Sequence, residues 1–118
     1  PYPFRADIAV SLDDAFDVKL AAIHELESQV YEGGAVGSAE FVASVPPASD
    51  QAARKAWLRE RWESRQAGEA NRARDLLIEF YGEDQGKKIR FAETFEICEY
   101  GLQPTPADIR RLFPFLPQ

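Results

Sequence analysis

The 118-residue chain contains no methionine, one cysteine (Cys98) and one histidine (His24). A lone thiol excludes an intrachain disulfide and points to a reducing, cytoplasmic setting. A lone imidazole, with no thiol or carboxylate set around it in sequence, reads as a surface or packing residue rather than a metal ligand. Positive charge is also short: 14 Lys and Arg against 20 Asp and Glu leave a formal charge of −6. The basic footprint of a nucleic-acid binder is therefore missing, and an anionic membrane surface is an equally poor partner. No run is long and apolar enough to span a bilayer, and no signal peptide opens the chain. No phosphate loop, nucleophile–base pair or metal-ligand cluster is written in the residues. The missing methionine, even at Pro1, makes a segment of a longer protein the expectation. Residues 1–118 have room for one core.

What is present is organised around Lys88–Gly101, KIRFAETFEICEYG. Ile89, Phe91, Phe95 and Ile97 recur at the two-residue period of a strand with one buried face, and Glu93 lies in the same row. A carboxylate there needs a partner, so Glu93 reads as a structural polar residue joining two elements, ahead of a general acid or base. A weaker alternative places Glu93, Tyr100 and the 33–49 loop around a small molecule. Cys98 on that strand reads as a small buried hydrophobe. Upstream, Pro1–Phe4 is an extended start, and Ala6, Ile8 and Val10 alternate in a second strand over Arg5–Leu12. Ser11 with Asp14, or else Asp13, then starts a helix to about Tyr31, with Phe16, Leu20, Ile23 and Val30 on one stripe. Asp13, Asp14 and Asp17 crowd its first turn, as solvated acids favoured by the helix dipole rather than as a metal site. Gly33 and Gly34 end it.

Residues 33–49 hold three glycines and the pair Pro46-Pro47, and are expected to form a mobile loop, a plain connector ahead of a lid. Ser49 or Asp50 caps a helix that extends to Tyr81. Unbroken, its 32 or so residues would be about 48 Å long, so a bend is expected near Gln66–Gly68, or else the helix projects to a partner. Its arginines alternate with Glu60, Glu63, Glu69 and Asp75 and read as ion-paired, solvated surface. Thr105 or Asp108 starts a short last helix, and LFPFLPQ is an apolar tail that must dock. The fold class is α+β, with two strands and two principal helices.

Four stretches together resemble one family: Pro1–Gln29, Ala73–Gly82 (ARDLLIEFYG), Ile89–Gly101 and Arg111–Phe115. They are similar to the C-terminal part of PIG-L/LmbE-like zinc-dependent N-deacetylases. There, a strand leads into a helix of the form K-L-A-A-L…S-Q, matched by Lys19–Ile23 with Ser28 and Gln29. A later A-E-x-F strand is matched by Ala92–Phe95, followed by Tyr100-Gly101. The resemblance implies a Rossmann-like α/β layer domain that removes acetyl from an N-acetylated amino-sugar conjugate. It also implies zinc in the full-length parent and an N-terminal catalytic half as partner, with a homo-oligomer as a further option. The family's His-Pro-Asp-Asp and second histidine motifs are absent here. Leu26 stands where many members carry a histidine, and His24 is two positions too early. No catalytic or metal residue carries over. Glu93, Ser28 and Gln29 are carried as structural polar residues. The alternative is a non-enzymatic module that docks a partner or a second copy through its long helix.

Overall fold

The computed structural model describes residues 3–35 and 37–117. Pro1 and Tyr2 of the expected extended start, Val36 of the expected loop and Gln118 of the tail lie outside them. The protein is a mixed α+β chain in two compact units, Pro1–Asp13 with Gln66–Gln118, and Asp14–Arg65. We call these the sheet unit and the helical unit.

The sheet unit holds strands β1 (Ile8–Ser11) and β2 (Ala92–Phe95), paired antiparallel with Ile8 opposite Phe95 and Val10 opposite Glu93. Both are shorter than their hydrophobic patterns suggested. Ile8, Ala9 and Val10 are all buried, so β1 is covered on both faces rather than alternating. Ala9 packs with Ala70, Ala73, Leu77, Ile89 and Ala92, whereas Ile8 and Val10 pack with Ile109 and Leu116. The apolar tail thus docks on the sheet through Leu116, 2 % exposed.

The β2 row departs from its expected burial. The strand stops at Phe95, Phe95 itself is 40 % exposed, and the fully buried strand residue is Ala92, of opposite parity. Ile89 reaches the core from the turn that precedes the strand. Cys98, expected buried on the strand, lies beyond its end and is exposed.

The expected single helix over 13–31 is two pieces in the helical unit, α1 (Phe16–His24) and α2 (Glu27–Val30). Neither Ser11 nor Asp13 caps α1. Ser11 is committed to β1, Leu12 N–H donates to Phe91 O in the sheet ladder, and the N-cap position falls to Ala15. The expected loop contains α3 (Ala39–Ser44), whose first turn is capped by Ser38 accepting from Phe41 N–H.

Asp50 does cap the next helix, accepting from Ala53 N–H at 2.9 Å. That helix, α4 (Gln51–Arg72), passes straight through Gly68, and the discontinuity falls at Ala73 before α5 (Arg74–Tyr81). Ala73 N–H still bonds Glu69 O, and Leu77 N–H bonds Ala73 O. Ala73 thus keeps one backbone bond on each side of the discontinuity. Ala73 is buried and packs with Ala9, so the discontinuity falls at a core contact rather than at Gly68.

Gly82 then admits α6 (Glu83–Gly86), and α7 (Pro106–Leu112) follows β2. Helix α7 starts on a complete capping box: Thr105 Oγ1 accepts from Asp108 N–H, and the Asp108 carboxylate accepts from Thr105 N–H. The Thr105 hydroxyl and amide, with Arg111 behind them, hold the Asp108 carboxyl below its usual range. A depressed folded-state value means that the cap stabilises above the ordinary aspartate range and is lost as pH falls through the lowered value. The Thr105 and Asp108 amide resonances should therefore titrate together, with a midpoint below the ordinary Asp value of about 3.9. A midpoint at or above that value would contradict the capping box.

Candidate functional site

In the sheet unit, the carboxylate that organises the loop ahead of β2 is Asp13. Its oxygens accept from Arg90 N–H at 3.1 Å and Phe91 N–H at 2.8 Å. These contacts span more than seventy residues of chain, so nothing local in the sequence marks Asp13 for the role. Glu93 is half-buried on β2 opposite Val10 and is not without a partner. Tyr100 is 83 % exposed in the bend after β2. Residues 33–49 belong to the helical unit.

Arginines read as solvated surface divide into three groups. Arg59 pairs with Asp17 and Glu63, and Arg72 with Glu69, as expected. Arg74 and Arg54 turn inward instead. Arg74 Nη1 donates to Gly86 O at 2.6 Å and Ile89 O at 2.8 Å, and Arg54 Nε donates to Pro46 O at 3.0 Å. Arg61 and Arg65 lie over aromatic rings.

Tyr31 is the centre of the helical unit. It is 2 % exposed, its hydroxyl meets His24 Nδ1 at 2.7 Å, and the Arg54 guanidinium sits 4.7 Å from its ring centroid. In an unbroken helix, residues seven apart are separated by about 10.5 Å along the axis. The break between α1 and α2 is what brings these rings to 5.7 Å. Burial pushes the Tyr31 phenol above its usual value, against the opposing field of Arg54. His24 is thus a hydrogen-bonded packing residue.

Ser28 and Gln29 are exposed on α2. The Ser28 carbonyl accepts from Gly34 N–H, which turns the chain back after α2 through Gly33 and Gly34 at positive φ. Glu93 belongs to the other unit.

Among the described residues no three His, Cys, Asp or Glu side chains converge as a metal site. Asp13 is spent on backbone amides and Asp17 on Arg59. No described helix has the length and apolarity to cross a membrane. No family model, curated protein or solved structure matches this chain.

Proposed function

We propose that this chain is the C-terminal portion of a metal-dependent N-deacetylase of the PIG-L/LmbE-like class, acting on an N-acetylated amino-sugar conjugate in the cytoplasm. The observation that carries this reading is the coincidence of motif and element. Ala92-Glu93-Thr94-Phe95, the A-E-x-F match, is strand β2 in its entirety. Its partner is β1, which leads into the helix bearing Lys19–Ile23. In the family's larger, Rossmann-like layer this two-stranded sheet would gain further strands from the N-terminal half. Zinc ligands and general base would come from upstream of Pro1, so this portion supplies scaffold, with Glu93 bridging elements.

The alternative, a non-enzymatic docking module, draws on the exposed rings of the sheet unit. Phe95, Phe113 and Phe115 form a chain of ring contacts at 5.6 and 5.8 Å, and Phe115 is 63 % exposed. The first reading covers such a face with the N-terminal half, and the second with another protein or another copy.

The discriminating experiment is to sequence the gene upstream of the Pro1 codon, express the complete reading frame, and measure bound zinc and amine release from an N-acetylglucosaminyl conjugate. A His-Pro-Asp-Asp motif in frame, about one equivalent of zinc and turnover are expected. A frame that carries no such motif, with neither zinc nor turnover, would leave the docking module.

A further inference from the structure

The helical unit contains a groove of about 350 Å³ that takes no part in the deacetylase reading, and the inference from it stands whether or not that reading holds. Its walls are aromatic and its charges positive: Phe41, Trp57 and Trp62 line it together with Arg61 and Arg65, and Gln29 contributes an amide. Trp57, Arg61 and Arg65 follow one another at four-residue steps on α4, so they share one face of the helix. The Arg61 guanidinium lies 4.5 Å from the Trp57 ring centroid and 5.5 Å from that of Phe41, and Arg65 lies 5.1 Å from that of Trp62.

These distances hold each cation against a ring face and limit its freedom. A guanidinium held in this way still offers its N–H fork to a carboxylate or phosphate, and its plane can carry a further flat ring. No acidic side chain is among the groove's lining residues. Arg59, on the same helix, shows the contrast, because Asp17 and Glu63 already occupy it. Among the described residues no ion pair engages Arg61 or Arg65, so the groove concentrates positive charge in a chain of net charge −6.

We propose that this groove binds a small flat-ringed phosphate, the chemistry shared by a nucleoside monophosphate and an aryl phosphate. The phosphate bridges Arg61 and Arg65, and the ring extends the stack formed by the guanidinium groups, Trp57 and Trp62. The volume is at the lower end of that of small-molecule sites, so the occupant is a monomer rather than a polymer. The Gln29 amide can bond the edge of a nucleobase and has nothing to bond on a bare phenyl ring. Gln29 therefore separates the two sources.

Trp57 and Trp62 are the only tryptophans in the chain, so intrinsic indole fluorescence reports on the groove. Titration with AMP and with phenyl phosphate should give saturable quenching. Adenosine and inorganic phosphate alone should bind at least roughly tenfold more weakly, since each supplies half of the recognition. Arg61→Ala combined with Arg65→Ala should weaken binding at least about tenfold, with helix content unchanged because both side chains are exposed. Arg59→Ala removes one of the same charges from α4 and should leave binding intact. Tighter binding of AMP that Gln29→Ala abolishes would identify the nucleotide; equal binding of both would identify the aryl phosphate chemistry.

The proposal is overturned by the absence of saturable quenching, or by inorganic phosphate acting as strongly as AMP. Loss of binding in the Arg59 variant equal to that in the double variant would also overturn it. So would a hexaglutamate peptide binding as tightly as AMP, which would make the groove a surface for acidic peptides.

Discussion

Gly86→Ala is expected to destabilise the sheet unit by about 3 kcal/mol, the upper end of what overpacking costs, while the identical change at Gly68 is expected to stabilise α4. A Cβ built on Gly86 would lie 2.6 Å from Ile78 Cα, 2.6 Å from Leu77 O and 2.7 Å from Ile78 N. All three are backbone atoms of α5, and none can swing aside as a side chain would. Helix α6 would have to retreat from α5, withdrawing the Gly86 carbonyl from Arg74 and pulling Ile89 out of the core that it shares with Leu77 and Ala92. At Gly68 a Cβ meets only the far end of the Arg72 side chain, at 3.4 Å, in a regular stretch of helix. There the gain should be about 0.5–1 kcal/mol, from the helix propensity of alanine and a less flexible unfolded chain. Urea denaturation of the two variants beside the parent protein tests both signs. Similar midpoints for Gly86→Ala and the parent would mean that α6 does not rest on α5 as described.

Arg74→Met should cost about 2–4 kcal/mol. Methionine preserves the stem but strands two carbonyl oxygens, those of Gly86 and Ile89, and both residues are buried. A charged donor shared between two such acceptors contributes more than a surface ion pair. Arg72→Met is the control. Its guanidinium pairs with the Glu69 carboxylate at 2.6 Å, and the arginine side chain is 67 % exposed. The expected change there is at most about 0.5 kcal/mol. Arg74→Lys should recover only part of the loss, because an ammonium lacks the planar fork. Full recovery with lysine would reduce the role of Arg74 to charge alone. Equal losses at positions 72 and 74 would remove the distinction between the two arginines.

The contrast between these two arginines also shows what was legible in the sequence. Where a signal is local, the chain can be read. Asp50 caps a helix, Thr105 starts another, and Ile8 to Val10 lie in a strand, although the alternation expected of that strand is lost because both its faces are covered. Where the deciding partner is distant, the same residue types mislead. Arg74 has the appearance of any surface arginine until Gly86 and Ile89 fold back beneath it. Asp13 resembles one of several N-terminal helix acids, yet its oxygens belong to the amides of residues 90 and 91. Tyr31 and His24 fall within one expected helix, and no breaker residue between them announces the interruption that accompanies their contact. The groove was half legible. The four-residue steps from Trp57 to Arg61 to Arg65 are plain in the sequence, but the reading of those arginines as ion-paired surface concealed them. The placement of Ser28 and Gln29 on a short exposed helix follows from the same break in α1–α2 that no glycine or proline announces.

The division of the chain also bears on how the protein is made. The helical unit is one uninterrupted stretch, Asp14–Arg65, whereas the sheet unit is assembled from what comes before and after it. During synthesis the helical unit can close as soon as its own residues have emerged. Strand β1 cannot: it must wait for β2, more than eighty residues later, before its ladder exists. Closing so long a span is entropically costly, and contacts of this kind form late. Until then Ile8, Ala9 and Val10, all buried in the finished molecule, are exposed on the nascent chain. Apolar surface and unpaired strand edges left open in this way are what make a folding chain aggregation-prone, and here they belong to the sheet unit.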